Sequence, residues 1–145
     1  MAMDSNVTMV SGDIFSCPSS HSMAHCISAD CRLGKGIALT FKMKFGGVPE
    51  IRSQHCRPGE VAVLRRGERF IYALVTKQKY SDRPTYDTLR RSLHALKEHC
   101  VAHDVKHLAM PRIGCGLDRL SWDRVLAMIR SEFKDTSVKV EIYSL

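Results

Sequence analysis

Strand-type and helix-type apolar patterns alternate along the whole chain, and that alternation restricts the fold more than any other feature. Val7 to Val10 opens as a strand and breaks at Ser11-Gly12-Asp13. Met23 to Ile27 is a short apolar run of the kind that is buried. LGKGIALTFKMKFGG then gives a glycine-rich loop, a short helix from about Ile37, and a stop at Gly46-Gly47. Pro49 to His55 reads as one or two further helical turns. Val61–Arg65 and Arg69–Val75 flank Arg66-Gly67-Glu68, which predicts a hairpin. Leu89, Leu93, Leu96 and Cys100 recur at helical spacing within Thr85 to Ala102, with Thr85 as N-cap. His107 to Met110 reads as a strand. Trp122, Val125, Leu126, Ile129 and Phe133 mark a second long helix, with Ser121 placed to cap it, and VKVEIYSL closes the chain as a strand. The fold class is therefore α/β with a mixed sheet.

At 145 residues without internal repeat, low-complexity segment or Pro/Ser-rich linker, the chain reads as one domain, 1–145, with Met1 and Ala2 set aside as a remnant ahead of Met3. The longest apolar run, Phe70 to Val75, is far short of the roughly 18 residues a membrane span needs, so no membrane partner is expected. MAMDSNVTMV lacks the basic-then-apolar layout of a signal peptide. The cysteines at 17, 26, 31, 56, 100 and 115 contain no CxxC pair, which argues against a disulfide framework and for a reducing compartment. His21, His25, Cys26 and Cys31 come nearest to a zinc half-site, but no second half follows, so no metal and no cofactor are expected. The net charge of +7 favours anionic partners, although the basic residues are spread rather than blocked.

The unusual residues gather where predicted strands end, which is where open α/β sheets bind ligands. Gly12-Asp13 follows the first strand, Thr76-Lys77 follows RFIYALV, and Pro111 to Asp118 follows HLAM. The Gly34-Lys35-Gly36 loop opens a helix. Its free backbone N–H groups and the positive end of the helix dipole make a natural anion site, and a flexible turn fits it equally well. Neither the Walker pattern nor GxGxxG is present. In RIGCGLD two glycines let backbone approach a ligand, and Asp118 is either a residue leading into the next helix or a general acid/base facing a cleft. Lys77 at the end of an apolar strand is either a solvated lysine or a partly desolvated nucleophile, with Lys79 as a nearby competitor.

SGDIF, AHCISADCRLGKGIA, KFGG, LVTK, PTY and PRIGCGLDRLSW, in this order from about Val7 to Leu145, resemble the macrodomains, the ADP-ribose-binding fold. Within that family the chain is most similar to glycohydrolases that remove terminal ADP-ribose from proteins and deacylate O-acyl-ADP-ribose. The resemblance implies a single macrodomain with its mixed sheet sandwiched between helices. It implies that Asp13 accepts a hydrogen bond from the adenine amino group, with Ile14 backbone beside it. Ser28 and the loop of Gly34, Lys35, Gly36 and Ile37 would face the distal ribose and diphosphate. Thr76 would line the substrate site next to Lys77. The loop of Arg112, Ile113, Gly114, Cys115, Gly116, Leu117 and Asp118 would cradle the diphosphate through its amides. Tyr143 and Leu145 would close over the adenosine end. Lys77 would attack the anomeric carbon of the distal ribose, expelling a glutamate or aspartate carboxylate, and Asp118 would act as acid/base to resolve the lysyl-ADP-ribose intermediate.

Departures from the family sharpen this expectation. HCISADCRLGKG replaces the Asn-rich stretch and the aspartate-bearing glycine loop of many macrodomain hydrolases, and no paired glutamates follow a glycine-rich loop. Those carboxylate mechanisms are therefore closed to this chain, which favours Lys77 and Asp118. The expected partners are ADP-ribose, ADP-ribosylated proteins and poly(ADP-ribose), for a monomer in the nucleoplasm and cytoplasm engaged in reversing ADP-ribosylation after DNA damage. The competing reading is a binding module that recognises ADP-ribose or its polymer without cutting it. Nucleic-acid binding rests on charge alone. Cys115 is expected as a small filler, His25 as a satisfied core histidine, Trp122 as core, and Met43, Met110 and Met128 as core fillers.

Overall fold

The computed structural model describes residues 6–114 and 118–145. Six strands form one sheet: β1 (Val7–Ser11), β2 (Ser22–Ser28), β3 (Glu60–Arg66), β4 (Arg69–Lys77), β5 (His107–Pro111) and β6 (Lys139–Ser144). Four helices accompany them, α1 (Gly36–Phe45), α2 (Val48–Ser53), α3 (Tyr86–Ala102) and α4 (Trp122–Phe133), with a 3-10 turn at Ile14–Ser16. The spatial order is β1-β6-β5-β2-β4-β3. Only the β3–β4 hairpin is antiparallel; the other pairings are parallel. The carboxyl ends of five strands therefore share one edge of the sheet.

Strand periodicity divides the core in two. On β4, Tyr72 and Leu74 face one way, packing with Leu89, Leu93 and Leu96 of α3 and Val125, Ile129 and Phe133 of α4. Ile71, Ala73 and Val75 face the other way, toward Phe41 of α1 and Ile51 of α2. Apolar residues on both faces suit a strand covered by helices on both sides, which is why RFIYALV is continuous rather than alternating. The result is the three-layer α/β sandwich expected from the sequence.

Two local expectations fail. Ser121 precedes α4 but makes no side-chain cap; its backbone N–H instead donates to the Tyr86 hydroxyl at 2.9 Å. Met43 is 77% exposed, because α1 buries Phe41, packs Ala38 and Phe45 at the margin of the core and turns Ile37, Leu39 and Met43 outward. Met110 is fully buried as expected, and Met128 and Trp122, expected in the core, pack against it half-buried. Among the described residues no helix is long and apolar enough to cross a membrane.

Candidate functional site

The register of β2 against β4 determines where Lys77 points. Pairing runs evenly from Met23 opposite Ile71 to Ile27 opposite Val75, then slips so that Ser28 stands opposite Lys77. Thr76 is the extra residue of this bulge, a feature that commonly re-aims a side chain beside a site. Its carbonyl accepts a hydrogen bond from the Thr88 hydroxyl at 2.7 Å, and its own hydroxyl is buried with no partner among the described residues. Thr88 also belongs to the capping box of α3 with Thr85, so the helix start and the strand end are fastened together. Thr76 thus supports the turn, and its side chain does not line the cleft into which Lys77 points.

Asp118 arrives from the loop after β5. Ile113 N–H donates to the Pro111 carbonyl at 2.8 Å, and Leu120 N–H to the Gly114 carbonyl at 2.8 Å, which pinches the loop closed at its base. Gly114 has φ +77°, a left-handed conformation that favours glycine, and a Cβ there would press on the Leu120 side chain, 3.1 Å away at Cδ1. Asp118 Oδ1 accepts from Lys77 Nζ at 2.9 Å, with the two side chains only 16% and 19% exposed. An ion pair so sheltered interacts more strongly than one in open water. It is also within proton-transfer reach.

Both residues line a cleft of about 300 Å3 together with Ser28, Gly34, Lys35, Gly36, Ile37 and Tyr80. The start of α1 forms its other wall. Gly36 opens the helix at φ +59°, and neither a side-chain cap nor an acidic residue occupies its first turn. The first amide N–H groups of a helix lack intrahelical acceptors, so an uncapped start bordering a cleft offers donors to an anionic group. Lys35 adds a cation on the same wall. Larger concavities of about 450 and 520 Å3 lie elsewhere, the first by Cys31 and Arg52 and the second between α3 and the end of α4. Neither contains Lys77, Asp118 or an uncapped helix start, so the chemistry concentrates in the smaller cleft.

Two residues escaped the sequence reading: Tyr80, which lines the cleft, and Asp30, which bonds to two residues that line it. Asp30 accepts the Ser28 hydroxyl at 2.6 Å and the Tyr80 amide at 2.9 Å. Burial alone would push its carboxyl up; the Ser28 hydroxyl, the Tyr80 and Arg32 amides and the Arg32 charge outweigh that and hold it below the usual carboxylate range. Tyr80 presents its ring to the Arg32 guanidinium at 4.6 Å and to Lys35 Nζ at 5.6 Å. The bonds from Asp30 tie loops 50 residues apart. No spacing rule reports such a contact; the only local signal was an acidic residue two positions after a strand-end serine.

The remaining candidates are less gathered. Asp13 is exposed at the end of β1, where its Oδ1 already caps the 3-10 turn through the Phe15 amide at 3.0 Å, while Ile14 is buried. Arg112 is exposed and turns its guanidinium over the Trp122 ring at 5.5 Å, and Ile113 packs into the core beside α3. Tyr143 is half-buried near the end of β6, and Leu145 is wholly exposed. Cys115, Gly116 and Leu117 lie outside the described residues. Lys79 is exposed; its backbone amide bonds to Asp82 and it takes no part in the cleft. His25 is buried and stacked on Phe41 at 4.0 Å, but its Nδ1 has no partner among the described residues, so it is packed rather than satisfied.

The structure is thus an α/β sandwich on a mostly parallel sheet, with an uncapped helix start and a lysine–aspartate pair at its carboxyl edge, and comparison gives that class a family. The sequence matches the Macro domain family over residues 24–129, and the chain belongs to it. It is 55% identical over 141 residues to the human ADP-ribose glycohydrolase OARD1, covering 97% of this chain and 93% of that protein. The bovine ADP-ribose glycohydrolase OARD1 is 53% identical with the same coverage. Among solved structures, the macrodomain of Thermus aquaticus DarG superposes with a TM-score of 0.83 at 22% identity, covering 96% of this chain and 98% of that one, which supports the fold.

Proposed function

We propose that this chain is an ADP-ribose glycohydrolase that releases mono- or terminal ADP-ribose from glutamate and aspartate side chains of modified proteins, and that it also deacylates O-acyl-ADP-ribose. The observation that carries the reading is the sheltered Lys77–Asp118 pair, 2.9 Å apart in a cleft walled by an uncapped helix start. The identity to glycohydrolases across nearly the whole chain supports it.

The α1 N-terminus and Lys35 take the diphosphate, which places the distal ribose near Ser28 and Lys77. Asp118 accepts a proton from the lysine ammonium and passes it to solvent. The Lys77 amine then attacks the anomeric carbon, and the substrate carboxylate leaves with the electrons of the broken C–O bond. Asp118, again a carboxylate, takes a proton from water as that water attacks the same carbon. The C–N bond breaks, the electron pair returns to nitrogen, and Asp118 hands its proton back to Lys77. One water is consumed, and ADP-ribose and an unmodified carboxylate are released. An amine nucleophile splits one difficult substitution into two easier ones.

The proposal extends to the partners and location of the protein. Poly(ADP-ribose) is an anionic polymer that suits a chain of net charge +7. The protein acts as a monomer in the nucleoplasm and cytoplasm, where reversal of ADP-ribosylation after DNA damage takes place. Single-turnover release of ADP-ribose from a glutamate-modified protein tests the central step. Lys77→Ala is expected to slow release by more than about 1,000-fold while ADP-ribose affinity stays within a few-fold. Release by both proteins would keep the enzyme and overturn the lysine mechanism. Release by neither, with binding intact, would make the chain a reader of ADP-ribose.

A further inference from the structure

At the end of the sheet opposite the cleft, three metal-ligating side chains converge. His21 precedes β2, His107 opens β5, and Glu141 is the third residue of β6. One ligand atom from each lies within 4.8 Å of the other two. His21 Nδ1 is 3.1 Å from Glu141 Oε1, and the two imidazoles stack with centroids 4.3 Å apart and planes 3° from parallel. His21 Nδ1, His107 Nδ1 and Glu141 Oε1 are all buried, and none makes a hydrogen bond within the described residues, the His21–Glu141 approach having ion-pair distance without hydrogen-bond geometry.

Buried polar atoms nearly always have partners, and three orphans side by side point to one shared partner. A proton between His21 and Glu141 serves two of them and leaves His107 unmatched. One divalent cation serves all three. We propose that His21, His107 and Glu141 form a zinc-class metal site that joins the amino-terminal edges of β2 and β5 to β6. Two imidazole nitrogens and one carboxylate oxygen are the donor set of three-ligand zinc sites, and such donors disfavour magnesium and calcium. Bonds of about 2.0–2.2 Å place ligand atoms roughly 3–3.5 Å apart, so the three atoms draw in by about an ångström and one ring rotates out of the stack. Arg69 prepares the site: its Nε donates to the His21 carbonyl at 2.7 Å and its Nη2 reaches Cys17 Sγ at 3.3 Å. Its guanidinium fixes the turn that carries His21, and the Glu141 carboxylate offsets its charge. Because the site lies away from Lys77 and Asp118, the metal braces the fold and leaves turnover unchanged.

The test is titration of the metal-stripped full chain with Zn2+ by calorimetry, with Tm and ADP-ribose release read in parallel and Co2+ absorption as a ligand probe. One equivalent is expected to bind, to raise Tm, and to give Co2+ bands of nitrogen and oxygen ligation. His107→Ala and the near-isosteric Glu141→Gln are each expected to weaken binding by on the order of 10–100-fold or more, with wild-type ADP-ribose release confirming that the variants are folded. Absence of saturable one-to-one binding, unchanged affinity in a folded Glu141→Gln, or thiolate-to-metal charge-transfer bands pointing to cysteines would each overturn the proposal.

Discussion

Lys77 is an unremarkable strand-end lysine until Asp118 is placed beside it. The residue-scale content of the site is therefore a pairing across 41 positions of sequence. Each partner was recognisable from its own motif, LVTK or RIGCGLD, because each follows an apolar strand. Asp30 and Tyr80 were not, because nothing in SADC or KQKY announces that they meet. His25 gives a prediction at this scale. Burial lowers its pKa from 6.5 to about 3, so the folded chain keeps the ring neutral where the unfolded chain protonates it. The folded value is the depressed one, so this contribution to stability is intact above about pH 6.5 and is lost as pH falls from there toward 3. Between pH 7 and pH 5 the loss amounts to about 2 kcal/mol. His25→Phe keeps an aromatic ring on Phe41 and removes the titration. Denaturant unfolding at pH 7 and pH 5 is expected to show a smaller difference in the variant; an equal difference would assign the acid sensitivity to other groups.

Elements position these residues through their ends. The bulge after Ile27 brings Lys77 opposite Ser28, and the Thr85–Thr88 capping box ties α3 to the same bulge through Thr76. Apolar runs located the strands and leucine or aromatic spacing the two long helices, since both report burial directly, while glycines and a proline marked the two short helices. Caps and bulges were less legible. Thr85 caps as expected, whereas Ser121 yields to a contact with Tyr86 that comes from another helix. Met43 misled for a related reason: an apolar residue in a helix reads as core unless the position of the neighbouring layer is known. Gly114→Ala tests the claim that the loop after β5 requires glycine. At φ +77°, with Leu120 Cδ1 3.1 Å from the added Cβ, the variant is expected to lose about 1–3 kcal/mol in chemical denaturation. It should also slow ADP-ribose release, because the strain falls on the segment that carries Asp118. A variant with wild-type stability and release would show that the loop tolerates a Cβ and does not hold Asp118 in place.

For the whole molecule, the parallel sheet gathers the carboxyl ends of five strands at one edge, and the order β1-β6-β5-β2-β4-β3 sets β2, β4 and β5 side by side at its centre. That arrangement makes one cleft from residues 28, 34–37, 77 and 118, and it explains why separate loop motifs at predicted strand ends were informative together. The same topology sends His21 and His107 to the opposite edge; the sequence set His21 beside His25, Cys26 and Cys31 as an incomplete half-site and not with His107 and Glu141, because that partnership exists only across strands adjacent in space. The central claim, that Lys77 bonds covalently to the distal ribose and Asp118 resolves the adduct, is tested most directly by removing the second function and looking for the first. Asp118→Ala incubated with a glutamate-modified protein, then digested and mapped by mass spectrometry, is expected to carry ADP-ribose on Lys77 and to release free ADP-ribose far more slowly than wild type. Unmodified Lys77 in a variant that still releases ADP-ribose, or an adduct mapped to another residue, would contradict the account.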